Sequence, residues 1–238
     1  MGMVVSPAVA DPRRLRRFVS FVAPPKGASV LDVWTGAGVM AWAFSLRVQE
    51  VVTVLRDHQQ APPRLRGRPN VFMLAASTTS PELPVPDERF DLVTCGIPFH
   101  HVPWPKELLL EMWRVCRPAG VLALEETVAH EQEVRARYQD RLERLRDRSH
   151  PRYFRLSELV HLLGEAGFLV RRLQLVDLQR EFHEWLRGAR PSPQRVEAIR
   201  RLLTGGQEAD IGGLNIQMAD DTFLFTQRLA WVVAERMG

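Results

Sequence analysis

The stretch VLDVWTGAG, residues 30–38, decides the fold. An apolar run that leads into a glycine-rich turn is typical of the first strand of a nucleotide-binding βαβ unit, where the ligand lies against bare backbone at the tip of the strand. Trp34 departs from this pattern, because small residues normally occupy such a turn. A ligand pocket and the protein core are both open as the location of its indole ring. The few directions that a turn leaves to a large side chain favour the pocket.

Runs of β-branched residues alternate with helical patterns along the chain. This alternation predicts an α/β fold, with a mostly parallel sheet, helices on both faces and an antiparallel last strand. The predicted strands cover residues 30–33, 51–55, 71–74, 90–95, 121–125, 168–176 and 222–233. An amphipathic first helix is predicted around RRLRRF, residues 13–18. The further predicted helices cover residues 39–48, 108–117, 131–148, 156–166, 180–187 and 193–203. Three prolines and a glycine in residues 57–70 predict a short or irregular crossover between the second and third strands.

Composition indicates one globular domain. The chain has 238 residues, of which 45% are hydrophobic, enough for a sizeable core. It contains neither an apolar run of the ~20 residues that a membrane span needs nor a signal-peptide pattern, so we expect a soluble, cytoplasmic protein. Cys95 and Cys116 lack metal-ligand spacing, and we expect two reduced, buried thiols, with no disulfide and no metal site.

The net charge of +4 comes almost wholly from arginine. Arginines and glutamates interleave, as in residues 131–148, which is typical of an exposed helix with pairs four residues apart. This dispersed charge favours a solvated surface over a nucleic-acid groove.

Several motifs together resemble the class I S-adenosylmethionine-dependent methyltransferases, and within them the group related to the ubiquinone/menaquinone-biosynthesis C-methyltransferases, the methyltransferase type 11 domain. They are VLDVWTGAGVMAWAFS (30–45), EVVTVLRDHQQ (50–60), residues 83–126 with CGIPFHHVPW, residues 142–170 and FHEWLRGARPSP (182–193). The resemblance implies a Rossmann-like, seven-stranded domain over residues 1–238. Its parts would be an N-terminal helix (1–25), a cofactor half (26–128), a lid helix (129–155) and C-terminal helices and strands (156–238).

The resemblance also implies a site for S-adenosylmethionine, with three departures. Trp34 stands where the family has glycine or alanine, Arg56 where an acidic residue binds the ribose, and Ala76 where an aspartate binds the adenine. Asp57, one residue after Arg56, and Ser77 or Thr78 are the available substitutes. The cofactor-binding residues implied are Asp32, Trp34, Gly36, Gly38, Asp57, Ser77 and Cys95.

The acceptor side of the family site corresponds to the segment after the fourth strand. His100 and His101 match a histidine pair there and are the candidate catalytic residues, which shape the pocket or accept a proton. The alternative is that one caps the following helix and the other packs beneath it. The candidate substrate-binding residues are Tyr138, His150, Arg152 and Tyr153. Arg152 suits an anionic or quinone-like acceptor, and a surface salt bridge is the alternative.

Three functions remain open from the sequence. The first, which we favour, is a small-molecule methyltransferase with a degenerate cofactor pocket. The second is a catalytically inactive methyltransferase-like protein that serves as a binding or regulatory module. The third and least favoured is a nucleic-acid-modifying enzyme, because the basic charge is dispersed. The sequence also leaves open whether the chain forms a homodimer.

Overall fold

A nine-stranded sheet forms the centre of the structure, a computed structural model that describes residues 6–34, 36–56, 59–77 and 79–238. Its strands are β1 (Ser29–Val33), β2 (Glu50–Arg56), β3 (Val71–Ala76), β4 (Phe90–Cys95), β5 (Cys116–Ala129), β6 (Phe154–Arg155), β7 (Phe168–Glu181), β8 (Gln217–Ala219) and β9 (Thr222–Arg236). The main path runs in the order β3-β2-β1-β4-β5-β9-β7, while β6 pairs with β5 and β8 with β9.

The directions of the strands confirm the predicted fold class. The five strands from β3 to β5 in this order pair in parallel, and β9 is antiparallel to both of its neighbours on the main path, β5 and β7. Parallel strands need crossover segments, and these carry the covering helices. The result is a Rossmann-like sheet of seven long strands with two short additions.

The described helices lie in three groups. They are α1 (Pro12–Val22), α2 (Val39–Ser45), α3 (Pro105–Val115), α4 (Glu133–Arg146), α5 (Leu156–Glu165), α6 (Phe182–Arg187) and α7 (Pro193–Gln207). Apolar residues of α1 and α2 share one core with the sheet, those of α3 and α5 share a second core, and α4, α6 and α7 pack together with the start of β9. Helices therefore cover both faces of the sheet, as predicted. Among the described residues, no helix has the length and apolar character to cross a bilayer.

Alternation along β1 explains why this strand lies at the centre. Leu31 and Val33 belong to the core beneath α3 and α5, whereas Val30 belongs to the core beneath α1 and α2. Successive side chains of a strand point to opposite faces, so a strand buried on both faces reads as a continuous apolar run. The apolar residues of VLDV fit this position, and Asp32 is the polar exception.

The crossover between β2 and β3 is irregular, as predicted. Its one described helical element is a single 3₁₀ turn, Pro63–Leu65. Leu65 packs against Gly38, where an added Cβ would lie 2.9 Å from the Leu65 side chain. Gly38 also has φ of +73°, so both the backbone and the packing require glycine there.

Several predicted boundaries are wrong, and the largest differences lie where long-range pairing extends the strands. The strand predicted at 121–125 begins at Cys116, so α3 ends at Val115 and Pro118 and Gly120 lie within β5. The strand predicted at 168–176 continues to Glu181, because β7 pairs with β9 along its whole length. The helix predicted from residue 180 consequently starts at Phe182. Local sequence patterns carry no information on such partners.

Candidate functional site

A cavity of about 430 Å³ opens at the carboxyl ends of β1, β4 and β5. The strand order reverses here, since β2 pairs with one side of β1 and β4 with the other. Such a switch point is where open α/β sheets bind ligands, and the volume is typical of a small-molecule site. The described residues that line it are Ser6, Val9, Arg14, Asp32, Trp34, Gly36, Ala37, Val39, Met40, Arg56, Gly96, Ile97, His100, His101, Glu125, Thr127, Glu143, Arg146, Asp147, Ser149, Tyr153, Leu178, Arg180, Gly188 and Gln227.

Trp34 forms part of the wall between the cavity and the core. Its side chain is 5% exposed, and its ring lies edge-on to Trp104 with 5.2 Å between ring centres. The guanidinium of Arg56 lies 5.7 Å from the centre of the indole ring, within the range of a cation–π contact. The Trp34 side chain therefore lies partly in the cavity wall and partly in the core, the two locations that the sequence left open. Its φ of +53° is left-handed, which costs a residue with a side chain about 1–2 kcal/mol.

The two glycines of the turn have different surroundings. Gly36 lines the cavity with φ of +54°, and its carbonyl accepts a hydrogen bond from the side chain of Gln59. Gly38 is not among the described lining residues and packs against Leu65 instead. Only the first of these glycines therefore presents backbone to the cavity.

Asp32 supports the turn from below. Its carboxylate is buried, accepts a hydrogen bond from the Ala41 backbone N–H at 3.1 Å and lies 3.4 Å from the Thr53 hydroxyl. This contact ties β1 to the first turn of α2, and the same residue lines the cavity. Cys95 lies in the core behind it, and burial, followed by the charges of Asp32 and Glu126, raises the pKa of its thiol well above the ordinary value. Cys95 is therefore a protonated thiol at neutral pH.

The ends of β2 and β3 carry the other predicted cofactor residues. Arg56 and Ala76 lie opposite each other in the last register position of the two strands. The Ser77 hydroxyl is 2.8 Å from that of Thr79 and accepts from the Thr79 backbone N–H, and Ser77 does not join the described lining of the cavity. Asp57 and Thr78 lie outside the described residues.

His100 and His101 lie in a 3₁₀ turn, Ile97–His101, directly after β4, and both line the cavity. His100 Nδ1 lies 2.7 Å from Glu126 Oε1, and the His100 backbone N–H donates to Glu126 Oε2 at 2.8 Å. Burial lowers the pKa of His100, but the charge and hydrogen bond of Glu126 outweigh it, so this pKa lies above its ordinary value. Burial, followed by the neighbouring His100, lowers the pKa of His101 to about 4. The His101 ring is therefore neutral at physiological pH.

Two residues of the segment RSHPRYF join this pair. The His150 ring lies 5.3 Å from that of His100 and 6.0 Å from that of His101, and the Tyr153 ring lies 4.9 Å from that of His100. Tyr153 lines the cavity and donates its hydroxyl hydrogen bond to Glu143 Oε2 at 2.8 Å. His100, His101 and Tyr153 therefore line one end of the cavity, and His150 packs against them without joining the described lining.

The other two predicted substrate residues lie elsewhere. The Tyr138 hydroxyl donates to the Leu202 carbonyl at 2.6 Å, and its ring packs against Gly206 and Gly212. Arg152 is exposed and pairs with Glu158 at 2.7 Å, which is the surface salt bridge that the sequence left as the alternative. Neither Tyr138 nor Arg152 is among the described residues that line the cavity.

Buried charges on the far wall of the cavity were missed by the sequence analysis. Arg14 of α1 forms an ion pair with Glu125 of β5, and both side chains are almost fully buried. The same carboxylate accepts a hydrogen bond from Trp231 Nε1 at 2.7 Å. The only available signal was the pair of glutamates in the apolar run VLALEETVA, because Arg14 lies 111 residues away in the sequence.

A second buried network connects α4 to β7 and β9. Glu143 pairs with Arg146, and these contacts, with the Tyr153 hydrogen bond, hold the pKa of Glu143 below its ordinary value against the effect of burial. Arg180 donates to Gln227 Oε1 at 2.5 Å, and Gln227 Nε2 lies 3.2 Å from the Tyr153 hydroxyl. These partners hold Tyr153 in a fixed position at the cavity wall.

Comparisons with known proteins agree with this fold. Residues 10–173 match the family model of a methyltransferase domain. The chain is 31% identical over 186 residues to the uncharacterized methyltransferase YcgJ of Bacillus subtilis, across 76% of this chain and 73% of that protein. The chain belongs to the class I methyltransferase family.

This methyltransferase chain is similar to two further proteins. It is 36% identical over 108 residues to the uncharacterized methyltransferase Rv0224c of Mycobacterium tuberculosis, 44% of this chain and only 41% of that protein's length. The BH2331 protein of Bacillus halodurans, a candidate methyltransferase of known structure, superimposes with a TM-score of 0.84 at 24% identity over 95% of this chain and all of that one. At this identity the superposition shows the fold alone. The relation to ubiquinone-biosynthesis enzymes stays a prediction.

Proposed function

We propose that this methyltransferase binds S-adenosylmethionine in an altered pocket and transfers its methyl group to a small polar acceptor. The supporting observation is one continuous cavity that joins the glycine turn after β1 to the histidine turn after β4. We refer to its two ends as the glycine-turn end (Trp34, Gly36 and Arg56) and the histidine end (His100, His101 and Tyr153). In this proposal the cofactor occupies the first and the acceptor the second.

At the glycine-turn end, the methionine portion of the cofactor would lie against the backbone of Gly36 and Ala37, which both line the cavity. The ribose would lie toward the end of β2, where Arg56 cannot accept hydrogen bonds from hydroxyl groups. Asp57 remains the proposed acceptor for that diol. Each underpaired ribose or adenine contact would weaken binding by roughly 1–3 kcal/mol.

At the histidine end, buried polar groups would orient the acceptor. Neutral His101 can accept a hydrogen bond from an acceptor O–H or N–H, and Tyr153 forms the adjoining wall. Methyl transfer forms a bond from the acceptor heteroatom to the methyl carbon while the electrons of the sulfur–carbon bond return to sulfur. The proton of the acceptor passes to the neutral His101 ring, which accepts its hydrogen bond, and from there to solvent. Because the sulfonium is already activated, alignment and the exclusion of water are the main demands on the protein.

A second function, a catalytically inactive binding module, is supported by one observation. The Trp34 ring lies against Trp104 and beneath Arg56 at the glycine-turn end, where the family has a small residue and a carboxylate. If these side chains stay in place, they occupy volume that the cofactor needs. The ligand of such a module would then bind at the histidine end alone.

Titration calorimetry with S-adenosylmethionine and with its demethylated product separates the two functions. We expect micromolar binding of both, and the absence of heat at millimolar ligand would leave the binding module as the function. Gly36→Ala should weaken binding at least tenfold, or about 1.4 kcal/mol, because the methyl group enters the cavity wall. Gly67→Ala is the matched control, since Gly67 also has a positive φ, of +72°, but nothing within 4 Å of an added Cβ.

A further inference from the structure

Three histidine side chains at the histidine end have the arrangement of a metal site. One ring nitrogen from each of His100, His101 and His150 lies within 4.8 Å of the other two. Two of these residues are adjacent in the 3₁₀ turn after β4, and the third comes from the segment that follows α4. The fold brings them together across 49 residues, so their sequence spacing matches no metal motif.

A carboxylate contacts one ring nitrogen in two of the three histidines, which leaves the other nitrogen of each ring as the one available to a metal ion. His100 Nδ1 lies 2.7 Å from Glu126 Oε1, and His150 Nε2 lies 3.0 Å from Asp140 Oδ1. A carboxylate on the far nitrogen of a histidine fixes the ring and leaves the other nitrogen free to coordinate, as is usual for metal-binding histidines. Both carboxylates are hydrogen-bonded in turn, Glu126 by the Thr127 backbone N–H and Asp140 by that of Tyr153.

The other ring nitrogen of His150, Nδ1, points to a missing ligand independently of the cluster distances. The side chain is fully buried, yet Nδ1 has no hydrogen-bond partner among the described residues. A buried polar atom without a partner costs stability, so its retention requires a reason. A cation among the three rings would provide the partner.

We propose that His100, His101 and His150 bind one divalent transition-metal ion of the zinc class. Imidazole nitrogens suit zinc, cobalt, nickel and copper, whereas magnesium and calcium prefer oxygen. Tetrahedral zinc at about 2.05 Å from each ligand requires nitrogens about 3.3 Å apart, so the rings close by small rotations on binding. The fourth position would face the cavity that His100 and His101 line, where a water or a donor atom of a bound acceptor would occupy it. With the ion in place, the acceptor would contact the metal instead of the His101 nitrogen. The sequence analysis predicted no metal, because it judged only cysteine spacing.

Metal binding is tested on the full chain without an affinity tag. Protein stripped with a chelator is titrated with Zn²⁺ by calorimetry and with Co²⁺ by visible absorption, where a tetrahedral cobalt spectrum reports the geometry. We expect one ion per chain. His150→Ala and His101→Ala should each weaken binding at least tenfold. Glu126→Gln keeps all three rings and removes the charge beside His100 Nδ1, and it should weaken binding about 10–100-fold.

His161→Ala is the matched control, because His161 is an exposed histidine beside a single glutamate, Glu165. It should bind Zn²⁺ as the unmodified chain does. The proposal is overturned if the unmodified chain binds no ion, if His101→Ala and His150→Ala bind as tightly as the parent, or if His161→Ala removes the binding. Circular dichroism checks that the variants fold. If His150→Ala does not fold, the Zn²⁺ affinity of His101→Ala tests the proposal, because His101 is only half-buried.

This test does not depend on the proposed methyl transfer. A parallel titration with S-adenosylmethionine reports on the glycine-turn end, which shares none of the three histidines. Cofactor binding without Zn²⁺ binding would overturn only the metal site, and Zn²⁺ binding without cofactor binding would overturn only the proposed function.

Discussion

The two ends of the cavity are built from different kinds of contact. At the histidine end, His100 and Tyr153 each have a buried carboxylate partner within 2.8 Å. At the glycine-turn end, Trp34 has a left-handed backbone and an indole N–H without a partner in the described part of the chain, and its neighbour Arg56 contacts it through the ring face. One end is thus a network of paired polar groups, and the other is an aromatic contact at a strained position.

This difference between the two ends indicates how readily each end tolerates a substitution. Buried pairs cannot be changed one residue at a time without leaving a charge unpaired, which costs several kcal/mol. A tryptophan in the glycine turn costs backbone strain and an indole N–H that is unpaired among the described residues, and packing recovers part of that cost. We therefore infer that the glycine-turn end can change while the fold and the histidine end persist.

The largest expected effect is on the buried ion pair of the far wall, where Glu125→Ala should lower the free energy of unfolding by about 3–5 kcal/mol. The substitution leaves the guanidinium of Arg14 buried without its carboxylate and removes the acceptor of the Trp231 indole N–H. Urea denaturation of the parent and the variant measures the change. The matched control is Glu50→Ala, because Glu50 pairs with Arg89 at 2.6 Å on the surface, where a pair contributes less than about 1 kcal/mol. Equal losses in the two variants would contradict the view that buried pairing holds this wall.

The fold was predictable from the sequence because its signal is local. Alternating apolar runs located β4 at residues 90–95 without error, and the glycine turn located the start of α2. The switch-point rule then placed His100 and His101 beside the cavity from their position after β4. These conclusions need only the residues of one strand and its following turn.

The site was less predictable because its other members come from distant segments. His150 reaches the histidine end from a segment after α4, and Arg14 reaches Glu125 from the first helix. Helical periodicity predicted α4, but it does not say which residues of a helix face a cavity, and so Tyr138 was predicted at the pocket although it contacts α7. Pairing between segments more than 100 residues apart requires the assembled sheet.

An intermediate effect is expected at the glycine-turn end, where Trp34→Gly with Arg56→Asp should strengthen S-adenosylmethionine binding about ten- to a hundredfold. The double change removes the indole from the cavity wall and supplies a carboxylate for the ribose hydroxyls at the end of β2. Calorimetry measures the affinity, and a thermal melt confirms folding after the contact with Trp104 is lost. Arg68→Asp is the control, since Arg68 also lies over a tryptophan, Trp42, at 5.8 Å but outside the described cavity lining. Loss of existing binding in the double variant would show that these side chains bind the cofactor rather than obstruct it.

The smallest expected effect is on the pH dependence of stability and concerns Cys116 at the start of β5. This uncharged position is compared with the later part of the same strand, where Glu125 and Glu126 lie. Burial raises the pKa of Cys116 to about 12 from an ordinary value of 9.0. The unfolded chain therefore loses this proton first as the pH rises, so the thiol's contribution to stability is complete below pH 9.0 and disappears between 9.0 and about 12.

Relative to Cys116→Ala, the parent chain should lose about 1.4 kcal/mol of unfolding free energy between pH 7 and pH 10, because only the parent has this thiol to ionise. Urea denaturation of both proteins at the two pH values measures the difference, and every other titrating group cancels in the comparison. Parallel pH dependence in the two proteins would mean that water reaches the start of β5. Only the part of β5 that carries Glu125 and Glu126 would then be shielded from water. The comparison between the two ends of the cavity would depend on that part of the strand alone.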